Sequence, residues 1–386
     1  MKRVFAFLGL VLVLPWVAFA QGEIVQDKHE TVLAKVIEIV EQETKNIPGT
    51  DTPTLHQKIR VELLEGWQKG EVVQIDNDYL NLKKGEKFYV LHTIGWDSQK
   101  DYYSVQEKYR LPNLFILTVI FIGIALYFGR GQGFRGLISL VGSIVLIIFV
   151  LLPGILHGFS PIFMTIAVSS VIIILGSYIT HGFNRVTSAA VVGMIATVVI
   201  TGAFAYFAVH FTSLTGYESE EAIYLTLNSR GTIDILGLLF GGIMIGLLGV
   251  LYDAAISQAI SVEELWKIAP HVSARKIYER AIRIGREHIG ALVDTLAIAY
   301  VGASLPLLLL FFQTSAESPL ITLNREIFST EIVRILIGSI GLILAVPITT
   351  FVAVRMLQNK KSSKISESEL QKEEHELLAV EHGHSH

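Results

Sequence analysis

Carboxylates set inside long apolar runs are the residues of this chain best suited to chemistry. Asp234 and Asp253 bracket the run Ile233 to Tyr252, and Asp294 sits inside a second run, Ile289 to Phe312. An ionised acid at membrane depth costs a few kcal/mol on insertion scales unless it is paired, hydrated or neutralised, so it marks a candidate ion or proton path. At about 1.5 Å rise per residue, Asp234 and Asp253 lie roughly 28 Å apart along a helix, close to the thickness of the hydrocarbon core. One acid therefore faces each side. Ser257 and Gln258 follow Asp253 on the next turn, and Glu287 and His288, with Arg283 and Arg286, lead into the run that carries Asp294. Asp253 and Asp294 enter from the same side at comparable depth, so they could flank a polar pocket for a proton or a metal cation, with His210 and Asp234 completing an exit path. The competing reading pairs each acid with Arg283, Arg286 or His288 and makes it a helix-to-helix register pin.

Other chemistries find little support. Cysteine is absent, which removes disulfides, thiolate nucleophiles and cysteine metal sites. Gly131-Gln-Gly-Phe-Arg-Gly136 matches G-x-G-x-x-G but follows no strand, so it reads as a tight turn between two apolar runs and not as a dinucleotide site. No G-x-S-x-G, H-E-x-x-H or Walker pattern occurs, and Ser304 has no base positioned beside it in sequence. An enzyme is disfavoured and no cofactor is implied. The chain ends with His382, His384 and His386, alternate positions that could hold a divalent transition metal weakly, with nothing nearby to orient a site.

The elements that must position the acids follow from composition. At 386 residues, 51% hydrophobic and mean hydropathy +0.52, the chain reads as an α-helical polytopic membrane protein with a soluble part in front. Residues 1–20 carry Lys2-Arg3, an apolar run and Ala18-Phe-Ala20, the pattern of a cleaved secretory signal, with an uncleaved anchor as the alternative. Residues 21–109 turn polar and alternate with period two in Val32 to Val40, Lys58 to Leu64, Glu71 to Ile75, Lys87 to His92 and Tyr102 to Val105. Five short strands predict a small exported all-β domain, an OB- or SH3-like barrel. Its mixed charge argues against nucleic acid.

Residues 110–355 contain seven apolar spans: Leu111 to Phe128, Leu137 to Leu152, Pro161 to Ile179, Val186 to His210, Ile233 to Tyr252, Ile289 to Phe312 and Ile332 to Val354. One set of connections holds Arg130, Arg135, Arg185, Lys267, the cluster Arg275 to Arg286, and Arg355 to Lys364, while the other holds only Arg230, Arg325 and Arg334. The positive-inside rule puts the rich set in the cytosol and the N-terminal domain outside. Within the cytosolic amphipathic segment 260–288, Ser261 and Glu264 predict a capping box that starts a short helix. Ser273 caps a second helix, which runs into the next span and bends near Pro306. Lys276, Arg280 and Arg283 form a basic stripe on it, suited to anionic lipid head groups at the inner leaflet. The tail, 356–386, is cytosolic and unpatterned.

The runs Gly246-Leu-Leu-Gly-Val-Leu-Tyr-Asp-Ala-Ala-Ile-Ser-Gln258 and Ile284-Gly-Arg-Glu-His-Ile-Gly-Ala-Leu-Val-Asp-Thr-Leu-Ala-Ile-Ala-Tyr-Val-Gly-Ala-Ser-Leu-Pro306 resemble the two most recognisable segments of the YibE/F-like family of bacterial membrane proteins. Leu152-Pro153, Val346-Pro347-Ile348-Thr349 and the exported part extend the likeness. The family more often has Asp where Glu287 stands and Asn where Asp294 stands. The resemblance implies the architecture of a multi-pass plasma-membrane protein. The leading expectation for function is a secondary transporter coupled to a proton or metal cation, and its rival is a non-transporting scaffold or sensor whose exported domain binds an envelope component.

Overall fold

Alternation of buried and exposed side chains makes strands of the first part of the chain. The computed structural model describes residues 28–46, 51, 53–94, 101–229, 231–313 and 318–358, so the expected signal sequence and the histidines of the tail lie outside the described residues. The chain divides into two units at Phe121. In the first, β1 (Lys28–Asn46), β2 (Pro53–Leu63), β3 (Val72–Asn77), β4 (Lys87–Ile94) and β5 (Asp101–Lys108) form one antiparallel sheet in the order β3-β2-β1-β4-β5. Each expected strand is present. β1 belongs to both halves, pairing with β4 over its first part and with β2 over the rest, and its two register shifts, at Val36/Glu38 and Ile39/Glu41, bend it between them.

The inward positions Val32, Val36, Ile59, Val61, Leu63, Ile75, Phe88 and Val90 form the core. A polar lock closes one side of it: the buried Gln57 amide donates to the Leu82 carbonyl at 2.9 Å and accepts from Asn77, whose own carbonyl oxygen caps the amides of Tyr79 and Leu80. Gly66 turns the β2–β3 connection back over β1, where a Cβ would run into Val32 and Glu30. The expected barrel is not closed. β3 and β5 approach one another, yet among the described residues no ladder joins them, and the sheet is a half-barrel. Turn and alternation signals set strand number and register, but closure depends on how far the bulged β1 curls, which they do not encode.

From Leu111 the described chain is helical, the first helix crossing the unit boundary. α1 (Leu111–Leu146) continues through a π turn (Ile147–Leu151) into α2 (Leu152–Leu156); then come α3 (Pro161–His181), α4 (Arg185–Phe211), α5 (Glu220–Asn228), α6 (Ile235–Ile268), α7 (Ala274–Ala303), α8 (Leu305–Gln313), α9 (Pro319–Asn324) and α10 (Glu326–Leu357). Five helical segments are long and apolar enough to cross a membrane, or six if α7 and α8, bent by 65° at Ser304, count as one. This is fewer than the seven read from sequence, because the first two expected spans fall in the single 46-residue run Leu111–Leu156. That run is not smooth: Arg130 has φ 47° and ψ −133°, and beyond it Gly133 passes so close to Ala125 that a Cβ would strike its carbonyl. The π turn widens the helix just ahead of Pro153, whose ring would otherwise meet the carbonyl four residues back.

One expected boundary is wrong. α6 does not restart at Ser261; it runs unbroken to Ile268, and the Ser261 hydroxyl donates to the Ser257 carbonyl at 2.9 Å instead of capping. A run of strong helix formers on both sides outweighs one local cap signal. Ser273 does occupy the N-cap position of α7, and the bend before Pro306 is present.

α10 makes its most extensive helix contact with α4, antiparallel to it. Gly193 of α4 lies under Thr349 of α10, and Gly341 of α10 lies under Thr201 of α4; an added Cβ would stand 2.7 Å and 2.9 Å from the respective hydroxyl oxygens. Gly241 of α6 meets the Thr165 hydroxyl of α3 in the same way, at 2.7 Å.

In the β unit, the buried imidazole of His92 is bonded through Nε2 to Asp101 Oδ1 at 2.8 Å and is stacked on Tyr103. The hydrogen bond from His92, helped by Gln68, holds the Asp101 carboxyl below its usual range. A depressed carboxyl adds stability above its unfolded pKa, about 3.9, which is lost as the pH falls through the lower folded value. Hydrogen-exchange protection of β4 and β5 in the full chain, corrected for intrinsic rates, should fall below about pH 4, and Asp101→Asn should flatten that dependence.

Candidate functional site

Gln258 is the one polar site residue that the fold buries completely. It lies at a junction of three helices, where its amide nitrogen donates to the Ala281 carbonyl of α7 at 2.8 Å and to the Thr350 hydroxyl of α10 at 2.7 Å. Thr350 passes a hydrogen bond on to the Val346 carbonyl, one residue before Pro347. Gly285 of α7 makes the junction possible, since a Cβ there would collide with Val346 and come within 2.8 Å of Gln258 Oε1. An amide can satisfy two helices at once, and in an apolar bundle an unpaired one would cost about 1–3 kcal/mol.

Asp253 lies on the outer side of the same helix. α3 packs on one flank of α6, through Pro161 against Gly237, Thr165 against Gly241 and the Tyr252 hydroxyl on the Gly176 carbonyl. α7 packs on the other flank, with Tyr300 over Gly246 and Ala281 on Gln258. Between the flanks, Gly242, Gly249, Asp253 and Ile260 form an exposed strip at helical spacing, with open space above both glycines. Asp253 is within electrostatic reach of His181, whose ring is tilted against Tyr252 at 5.8 Å. Ser257 is exposed beside it.

The remaining candidates are distributed differently. Asp294, Glu287 and His288 are exposed on α7, and none has a hydrogen bond or ion pair among the described residues. No such bond joins Asp253 to Asp294 or to Arg283, Arg286 or His288. Lys276, Arg280 and Arg283 are exposed on one flank of α7, opposite the side where Ile277, Ala281 and Gly285 are buried. Asp234 caps α6, accepting from the Gly237 amide at 2.9 Å. His210 is exposed and bonded to the Tyr206 carbonyl. Among the described residues no group of three or more His, Asp or Glu is placed to hold a metal ion.

A second polar cluster, unforeseen in the sequence, occupies the opposite end of the bundle. Glu326, the first residue of α10, accepts from the amides of Thr215 and Gly216 at 2.5 and 2.7 Å and from the Thr215 hydroxyl, clamping the α4–α5 connection to α10. One turn on, Glu331 pairs with Arg334 at 2.9 Å, both side chains about three-quarters buried. Glu331 Oε2, Arg334 Nε, Tyr300 Oη, Thr330 Oγ1 and Glu218 Oε2 are all buried without a hydrogen-bond partner among the described residues. The available signal was Glu331 and Arg334 at i,i+3 spacing within an apolar helix; starting that span at Ile332 assigns one of them to a loop.

The family model described as YibE/F-like protein matches residues 117–359, more than half of the chain. The chain belongs to the YibE/F-like family. The match holds both polar clusters and the basic stripe of α7, and it begins after the β unit, so the likeness expected for the exported part lies outside it. No curated protein and no solved structure matches the chain. With apolar helices and this family, it is a membrane protein.

The junction at Gln258 can be tested by packing. Gly285→Leu should lower the thermal stability of the detergent-solubilised YibE/F-like protein by an amount typical of overpacking, about 1–3 kcal/mol, whereas Gly290→Leu, with open space around it, should be near neutral. Differential scanning fluorimetry of the two variants distinguishes these outcomes.

Proposed function

We propose that the chain is a secondary transporter of the bacterial plasma membrane, coupled to a proton or a metal cation, with Asp253 as the carboxylate that binds it. The observation that carries this reading is the strip on α6: an acid on an apolar helix, floored by glycines on the same face and flanked rather than covered by α3 and α7. A register pin needs a partner cation, and among the described residues Asp253 makes no ion pair, its charge reaching the half-buried His181 without a bond to it. A transported cation needs an acid that is reachable and not permanently paired. Asp294, Glu287, His288, Ser257 and Asp234 are retained as residues along the path, with Asp294 free of protein partners among the described residues. No catalytic step is part of the reading.

Membrane topology follows in the same proposal. A continuous run of 46 residues would be about 69 Å long, more than twice the hydrocarbon thickness, so the break at Arg130 divides it into two crossings. With α7 and α8 as one bent span, this gives seven, which supports an outside β domain and a cytosolic α6–α7 turn. Lys276, Arg280 and Arg283 then lie at the inner leaflet, in contact with anionic head groups.

Reconstituted vesicles with an entrapped pH- or divalent-metal-sensitive dye test the reading. Asp253→Asn is nearly isosteric, so the variant should reach normal abundance and lose flux under an imposed gradient. Flux equal to wild type in this variant removes Asp253 from the mechanism, and a wild-type protein without flux favours the scaffold reading.

A further inference from the structure

We propose that Glu218, part-buried within electrostatic reach of the Glu331–Arg334 pair at the end of the bundle opposite Asp253, is a proton-binding site. The site is assembled from three elements: the α4–α5 connection supplies Glu218, α10 supplies Glu331 and Arg334, and α7 supplies Tyr300, which lies over Gly246 and beside Gly338. Among the described residues, the charges acting on Glu218 are the carboxylates of Glu326 and Glu331 and the guanidinium of Arg334. Glu326 is saturated by the Thr215 and Gly216 donors, and Glu331 holds Arg334 with one oxygen. The charge left over falls on Glu218, whose Oε2 is buried with no donor to meet it.

The start of α6 packs on Gly216 through Ile235 and carries Asp234, but that carboxylate is spent on the cap of its own helix. α10 presents Glu326, Glu331 and Arg334, and α7 reaches the same pair with the Tyr300 phenol. Burial pushes the Glu218 carboxyl above its usual range; the charges of Glu326 and Glu331 push the same way and Arg334 opposes them. Thr330, fully buried next to Glu331, adds another hydroxyl with no partner. A metal ion is a poor fit, because no group of three acids or histidines among the described residues converges on one point. A proton needs only one carboxyl oxygen, and placed on Glu218 it removes charge from a buried carboxyl that makes no hydrogen bond through Oε2 among the described residues.

Infrared spectroscopy of the full chain in lipid vesicles reads this directly, through the carbonyl stretch of a protonated carboxyl, and needs no transport. The wild type minus Glu218→Gln difference should contain that band near pH 6, where an ordinary glutamate is ionised, and the band should disappear on alkalinisation. Removing the neighbouring acid with Glu331→Gln should shift the disappearance to lower pH, and removing the opposing cation with Arg334→Gln should shift it to higher pH, each by roughly half a unit or more. The Glu331→Gln shift is read against the wild type alone, so the test survives if Glu218→Gln fails to fold. A difference spectrum without the band, or a band indifferent to both neighbours, overturns the proposal. The site stands independently of Asp253: vesicles that show the band but no flux would refute the transport reading and leave this one intact.

Discussion

A hydroxyl seated over a glycine is the contact on which the helical unit depends. It occurs between α4 and α10 twice, in reciprocal order, between α3 and α6 through Thr165 and Gly241, and between α1 and α3 through Ser139 and Gly176. Apolar side chains gain nothing by leaving lipid for one another, so helices in a bilayer associate through close packing and weak polar contacts. A glycine lets the facing backbone come near, and the small hydroxyl above it fills the space and meets the Cα–H groups, a contact worth about 0.5–1 kcal/mol. Thr165, Thr201 and Thr349 have no conventional partner for these buried hydroxyls, unlike Thr197, which bonds back to the Gly193 carbonyl. Their side chains serve the neighbouring helix and not their own.

The polar chemistry is arranged around that axis. With α4 and α10 locked antiparallel, α10 brings Thr350 to Gln258 near one end and Glu326, Glu331 and Arg334 to the α4–α5 connection at the other. α6 and α7 lean on the same axis, since Leu247 enters above Gly341 and Leu296 above Gly338. The outcome is a bundle whose middle is apolar and small, with one polar cluster near each end and Asp253 on the strip that α3 and α7 leave open.

Much of this was legible in the sequence, and what was not has physical causes. Period two located all five strands because each has one face in the core, as Phe88, Val90 and His92 do in β4. Ser273 marked the start of α7, although its side chain makes no capping hydrogen bond, and Pro306 marked the bend because a missing backbone N–H acts locally. Ser261 misled, since an N-cap residue works only where the helix is free to begin, and α6 was already under way. The half-barrel and the convergence of Glu218 with Arg334 depend on residues far apart in sequence, which no window of the chain registers, whereas the break at Arg130 is local and falls beside the turn expected at Gly131 to Gly136. Gln258 was singled out for its neighbourhood to Asp253, yet its place is the interior of a three-helix junction, bonded to residues 23 and 92 positions away.

The antiparallel lock of α4 and α10 can be measured with little background, because the natural chain has no cysteine. Thr197→Cys combined with Ala345→Cys places two thiols on the same register, midway between the Gly193–Thr349 and Thr201–Gly341 contacts, and mild oxidation in native membranes should cross-link them within one chain, while Thr197→Cys with Thr330→Cys, fifteen positions and so about 22 Å further along α10, should not. Cross-linking of the first pair alone is the result this account predicts. No bond in the first pair, or equal bonding in both, would contradict the helix register on which both polar clusters rest.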